Sequence, residues 1–191
     1  MPTERASNRR AAGRAATRPR VRLRALARSD QDEFLAAVAA SRALHRPWVQ
    51  PPTTPEQFRA LLRRMRQPSH RGFVVRLRAS DELVGFVEIT HIVRGALSSG
   101  FLGYYVFAGF ERLGLMREAL ALAVRHAFSG LRLHRLEANV QPGNRASIAL
   151  VRSLGFDREG LSRRYLKIRG RWRDHERWAM VAGPAARRSR P

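Results

Sequence analysis

The sequence predicts a mixed α/β domain of the α+β kind, a sheet with helices packed against it. Three observations carry this. Segments with apolar residues at every second position interleave with segments at helical spacing. Two of these combinations read as strand–turn–helix units, and two further pairs of strand-like segments meet at polar or glycine turns as hairpins. With 191 residues, 44% apolar and 27% charged, the chain is long enough for one domain around one core, and it contains no internal repeat.

In chain order, Val21, Leu23 and Ala25 alternate as a first strand, and Ser29 or Asp30 is placed to cap a helix bearing Phe34, Leu35 and Val38. Thr54, Pro55 and Gln57 start a second helix with proline in its first turn. Phe58, Leu61, Leu62 and Met65 form its apolar face, and Pro68 stops it. Phe73, Val75 and Leu77 then alternate as a strand, residues 79–82 supply a polar turn, and Val84 to His91 returns as the second arm of a hairpin. A strand from Phe101 to Val106 precedes a helix with Met116, Ala119, Leu120, Ala123 and Ala127 on one face. Leu133 to Val140 reads as the next strand. Asn144 caps a helix with Ile148, Val151 and Leu154 inward, and Gly155 ends it. Tyr165 to Arg169, Gly170, and Arg177 to Val181 complete a closing hairpin.

Composition narrows the function. No run approaches the roughly 20 apolar residues of a membrane helix, and the N-terminus has no apolar core of the secretory kind, so a soluble, cytoplasmic protein without membrane contact is expected. There is no cysteine, hence no disulfide, thiolate ligand or cysteine nucleophile. The six histidines show neither helical i, i+4 pairing nor clustering, and no metal is expected. The net charge of +22 comes almost wholly from arginine, Lys167 being the one lysine. Two readings stand: arginine usage that follows a GC-rich genome, and attraction to polyanions such as RNA. Residues 1–20 carry six arginines against Glu4 and nothing able to form a core. They predict a disordered basic arm, read as a solvated tail, a ribosome-docking arm or a transit peptide. The domain itself is expected over residues 21–182, and residues 183–191 form a short basic tail.

A turn between a strand and a helix N-terminus exposes backbone N–H groups at the positive end of a helix dipole, which suits a pyrophosphate. FERLGLM, from Phe110 to Met116, stands at such a place, though one glycine is a weak signal. Read together with LHRLEANVQPGNRASIALVRSLGFDREG (Leu133 to Gly160), YLKIRGRWRDH (Tyr165 to His175), VGFVEITHIVRG (Val84 to Gly95) and LGYYV (Leu102 to Val106), it becomes specific. Over residues 21–182 the sequence resembles the GNAT superfamily of N-acetyltransferases, and within it the ribosomal-protein N-terminal alanine acetyltransferases.

The resemblance implies a mostly antiparallel central sheet, splayed in the middle where two strands part and admit the pantetheine arm of acetyl-CoA, the co-substrate. Diverging strands leave backbone groups that an amide-bearing arm can pair with. On this mapping Tyr105, Val106 and Phe107 offer that backbone, with an N–H for the developing oxyanion. Arg112, Leu113, Gly114, Leu115 and Met116 form the pyrophosphate loop. The chain departs from the family pattern there: Glu111 puts a carboxylate where a diphosphate sits, and Arg112 replaces a common glycine. Asn144, besides capping its helix, bonds the cofactor arm, and Ser147, besides occupying the first turn, is the proton donor to the departing thiolate.

The reaction so implied needs a neutral amine. An α-amino group with a pKa of about 8 is partly neutral already, so a weak base acting through water suffices. Glu88 and Glu137, each within a mostly apolar strand, are the candidate bases, with salt-bridged or edge carboxylates as the plainer reading. Tyr104 and Tyr105 alternate, so one faces the cleft and the other packs beneath. Trp48 is a candidate for the acceptor groove, and Trp172, Asp174 and His175 are expected to hold the final hairpin. The expected partner is the N-terminus of a ribosomal protein, with ribosomal RNA as an electrostatic contact. The alternatives are a lysine or small-molecule amine acceptor on the same fold, and a non-catalytic basic RNA- or ribosome-binding module.

Overall fold

The computed structural model describes residues 18–46 and 48–183; the expected basic arm up to residue 17, and the tail from residue 184, lie outside them. Strands β1 (Val21–Ala25), β2 (Arg71–Leu77), β3 (Leu83–Val93), β4 (Ser99–Val106), β5 (Arg135–Val140), β6 (Asp157–Ile168) and β7 (Arg171–Val181) form one sheet in the order β1-β2-β3-β4-β5-β7-β6. Every neighbouring pair is antiparallel except β4 and β5, which run parallel. That one parallel contact spans only Ser99–Phe101 against Arg135–Glu137, after which the two strands part.

Helices cover both faces, which is why neither β2 nor the first seven residues of β3 include an exposed position. Helices α1 (Gln31–Ala40) and α3 (Pro55–Met65) lie over one face. Their Phe34 and Phe58 meet Phe86 and Phe107 of the sheet side, with Phe34 ring centroids 5.3 to 5.7 Å from the other three. The opposite face carries α4 (Leu115–Arg125), extended by one π turn at His126–Gly130, and α5 (Arg145–Ser153). Its core joins Val87 and Ile89 to Ala119, Leu120, Leu136 and Trp178. The period of two sorts Val74 and Phe86 to the first cluster and Val75 and Val87 to the second. Among the described residues no helix is long and apolar enough to cross a membrane.

Three local features differ from the sequence expectation. A short helix, α2 (Arg42–His45), follows α1, in a stretch too short to show helical periodicity. The closing hairpin is longer than expected, since β6 begins at Asp157 with a largely exposed, polar segment that lacks the alternating pattern. Asp30 directs its carboxylate back to the Ala27 N–H at 2.8 Å and receives Arg24 and Arg76, so it fixes the turn before α1 instead of capping the helix.

Candidate active site

Where β4 leaves β5, no strand lies beside its outer edge among the described residues. The ladder with β3 decides which groups face that edge. Phe107 N–H donates to the Val84 carbonyl at 2.9 Å, and the antiparallel alternation therefore turns the backbone of Tyr104 and Val106 outward, while Tyr105 and Phe107 pair inward with β3. The edge amides are those of Tyr104 and Val106, so of the expected trio Val106 presents its backbone there while Tyr105 and Phe107 do not. His45 Nε2–H donates to the outward Val106 carbonyl at 2.7 Å. Burial pulls the His45 pKa down, against the opposing pull of that bond and of Glu111, and so favours the neutral ring.

A cavity of about 540 Å³ opens along this edge. Its volume falls in the range of small-molecule sites. Of the expected site residues it is lined by Tyr105, Val106, Arg112, Gly114, Met116, Asn144 and Ser147. Phe107 and Leu115 are buried in the two cores, Leu113 is exposed, and Glu88 and Glu137 stand outside the lining. Both Tyr104 and Tyr105 reach the cavity, from opposite faces of β4, because it opens at the strand's edge rather than over one face. His45, Trp48, Tyr104 and Arg117 belong to the lining as well. Arg117 is legible beside Arg112 as a second cation following the FERLGLM loop, whereas His45 carries no local sequence signal.

The wall at the start of α4 is cationic. Gly114 stands at the N-cap with φ +77°, and Arg112 adopts φ +60°. Arg112 thus keeps the left-handed backbone that glycine favours, at a steric cost of about 1–2 kcal/mol. Glu111 turns its carboxylate onto the Gly109 N–H at 2.7 Å. From below, Arg20 grips the loop: its backbone N–H and Nε donate to Glu118 at 2.6 and 2.7 Å, and Nη2 donates to the Leu113 carbonyl at 2.8 Å. Glu118 lies in the first turn of α4, where its charge would oppose an anion, and Arg20 offsets it. Arg20, the last residue of the expected arm, is part of the loop's support.

The opposite wall joins α5 to β4. Asn144 Oδ1 accepts from the Ser147 N–H at 3.1 Å and caps α5. The Ser147 hydroxyl meets the Tyr104 hydroxyl at 2.6 Å. Burial pushes the Tyr104 phenol up to about 12, despite the opposing bond from Ser147. Trp48 packs against the chain before α5, its ring 3.4 Å from where a side chain at Gly143 would stand, and its carbonyl accepts from Gln141 at 3.0 Å. With Leu44, Val49 and Leu150 it makes this side of the cavity apolar.

Of the two candidate bases, Glu137 is held by Arg135 Nε at 2.8 Å on β5, an ion pair away from the cavity. Glu88 lies over β4 at Gly103, where a side chain would come to 3.0 Å from its carboxylate and crowd it. Burial pushes the Glu88 pKa up, partly countered by Arg64 at 3.2 Å and by His91. These groups suit an extended, amide-bearing ligand ending in a diphosphate: an unoccupied strand edge for the amides, and a helix N-terminus with Arg112 and Arg117 for the anion.

A model of the acetyltransferase (GNAT) domain matches residues 20–157. The chain belongs to the GNAT acetyltransferase family. It is 41% identical over 103 residues to YjcK of Bacillus subtilis, described as a probable N-acetyltransferase, covering 54% of this chain and 57% of that one. It is 39% identical over 94 residues to the [ribosomal protein uS5]-alanine N-acetyltransferase of Escherichia coli, covering 49% of this chain and 48% of that one. The chain thus spans about half the length of these curated relatives. Among solved structures, Mycobacterium smegmatis RimJ in complex with CoA-disulfide superposes with a TM-score of 0.77 at 32% identity, covering 85% of this chain and 82% of that one. The expected GNAT fold, with its mixed, mostly antiparallel and centrally parted sheet, is the fold observed.

Proposed function

We propose that this protein transfers the acetyl group of acetyl-CoA to the N-terminal amine of a ribosomal protein, an alanine amine, in the cytoplasm. The observation that carries the reading is the free edge of β4, flanked on one side by the cationic start of α4 and on the other by the Tyr104–Ser147 pair. Acetyl-CoA supplies the thioester; the residues of this chain orient it and handle protons. Edge amides of Tyr104 and Val106 pair with the pantetheine amides and polarise the thioester carbonyl. The α4 N-terminus, Arg112 and Arg117 hold the diphosphate. Glu88, with its raised proton affinity, draws the amine's proton through water, the carboxylate lying outside the cavity wall. The amine attacks the carbonyl carbon directly, the carbon–sulfur bond breaks, and Ser147 gives its proton to the leaving thiolate and regains one from water, while Tyr104 holds the serine oxygen. No acyl-enzyme forms.

The lining favours an α-amine over a polycation. Leu44, Trp48, Val49 and Leu150 are apolar, and the one carboxylate in the lining among the described residues, Glu111, is turned onto the Gly109 N–H. A polyamine or a lysine-rich segment would find no counter-ion there, and a lysine amine, with a pKa of about 10.4, would demand a stronger base. The E. coli relative that acts on a ribosomal protein's alanine supports the choice of acceptor. Intact-mass spectrometry of ribosomal proteins from cells with and without this chain tests it. The expected result is one N-terminal alanine that loses a single acetyl unit of mass. Unchanged ribosomal proteins, together with faster acetylation of spermidine or a lysine peptide by the purified enzyme, would overturn the acceptor. Absence of acetyl-CoA binding by calorimetry would overturn the reaction.

A further inference from the structure

The β6–β7 hairpin has surface features that the acetyl-transfer reading does not use. Strand β5 pairs with β7 only from Glu176 to Val181, so residues 161–175 run past the sheet as a two-stranded ribbon. Its turn, Arg169–Gly170, has φ +49° and +76°, the left-handed pair of a tight two-residue hairpin, which keeps the tip short. Within the ribbon, Arg163, Arg164, Lys167, Arg169, Arg171 and Arg173 carry six positive charges, and no acidic residue stands between Leu161 and Arg173. None of the six is in an ion pair among the described residues. Asp174, the next acid along, is occupied as acceptor of the Arg164 N–H at 2.8 Å. At the centre of this charge Trp172 is 59% exposed, directly across the ladder from Lys167.

An exposed indole among uncompensated cations has few uses in folding. A second copy of this chain would bring like charges together. A lipid surface needs apolar side chains gathered on one face with cations on the other. In the ribbon the pairs are Leu166 with Arg173, Lys167 with Trp172 and Ile168 with Arg171, so each face mixes both kinds. A single-stranded nucleic acid asks for what is present: an aromatic plane on which a base stacks, with arginine and lysine beside it for the phosphates.

We propose that the β6–β7 ribbon is an RNA-binding arm, with Trp172 stacking on an unpaired base and the flanking arginines and Lys167 contacting the backbone on either side. The choice of RNA over DNA rests on the ribosomal acceptor proposed above; the stacking and phosphate contacts do not. The arm would place the enzyme against ribosomal RNA while the cavity takes the neighbouring protein N-terminus.

The test uses the full chain and a fluorescein-labelled oligouridine of about 12 nucleotides, long enough for one such site, followed by fluorescence anisotropy over a salt series. Trp172→Ala weakens binding by about tenfold, as loss of one stacked base requires, and Trp172→Phe restores most of it. Replacing Arg169, Arg171 and Arg173 together by glutamine flattens the slope of log affinity against log salt by about two. Both variants retain acetylation of a short alanine-initiated peptide, so a loss of fold is recognised separately, and a chain that binds RNA through Trp172 but acetylates no such peptide refutes only the acceptor. Unchanged RNA affinity in both variants would overturn the proposal. So would equal binding of an RNA duplex with no dependence on Trp172, tighter binding to phosphatidylserine vesicles lost in Trp172→Ala, or a Trp172-dependent dimer that does not bind RNA.

Discussion

The hydroxyls of Tyr104 and Ser147 lie 2.6 Å apart and join the outer edge of β4 to the first turn of α5. With its pKa pushed up to about 12, Tyr104 stays protonated across the working range and holds the serine without ionising. Ser147→Ala is expected to lower kcat by about 100-fold, the lower end for a lost proton donor, with little change in the KM for acetyl-CoA. Tyr104→Phe removes one hydrogen bond and lowers kcat by about fivefold, ~1 kcal/mol. Steady-state kinetics on both variants distinguishes them; equal activity of Ser147→Ala and the parent protein would remove the serine from the mechanism.

In the proposed mechanism Glu88 is expected to carry the pH dependence. Its folded pKa is raised, burial outweighing Arg64, so the carboxylate becomes the competent base only above the ordinary glutamate range near 4.3. The acidic limb of kcat/KM should therefore lie at higher pH than an unperturbed glutamate gives, with activity rising as pH rises through it. Glu88→Gln abolishes that limb, and Glu137→Gln, whose partner is Arg135, leaves it in place. A profile identical in Glu88→Gln and the parent protein would exclude this base.

Arg20 is expected to act on cofactor affinity alone. Arg20→Ala leaves Glu118 uncompensated in the first turn of α4 and frees the Leu113 carbonyl. The KM for acetyl-CoA rises by about fivefold, ~1 kcal/mol, with kcat unchanged. The double variant Arg20→Ala, Glu118→Gln recovers most of the affinity if charge is the cause. Titration calorimetry with CoA reads both effects directly.

Stability should depend on Asp30, which is buried with Arg76 and bonded to Arg24 and the Ala27 N–H. Burial alone would push its pKa up, but these donors outweigh it and hold the carboxyl below its usual value. A carboxyl with a depressed folded pKa stabilises the fold above its unfolded value of about 3.9 and loses that contribution as pH falls through the folded value. Asp30→Ala leaves Arg76 its Glu33 and Asp81 partners but unpairs Arg24 and frees the Ala27 N–H, and costs about 1–3 kcal/mol. Urea unfolding at neutral pH shows the difference, and it narrows below about pH 4 as the parent protein loses its own pairing.

Much of the architecture is local, and the amino-acid order carries it. Alternating Phe73, Val75 and Leu77, the helical face of Phe58 to Met65, Asn144 at an N-cap and Gly155 at a helix end are each set by residues a few positions apart, so the interleaved strands and helices are legible from periodicity and capping. The family motifs likewise mark the α4 loop and the α5 start. The site depends on pairings between distant residues. The bond from Phe107 to Val84 sets the β4 register and thereby chooses Tyr104 and Val106, not Tyr105 and Phe107, for the open edge. Arg135 captures Glu137, Gly103 makes room for Glu88, and Arg20 reaches Glu118 across 98 positions. A one-residue change of register exchanges the backbone groups on an edge, and no local pattern records which strand lies alongside. The sequence determined the elements and the family; the tertiary structure alone decided which atoms face the cavity, because that choice is made by long-range pairing and packing.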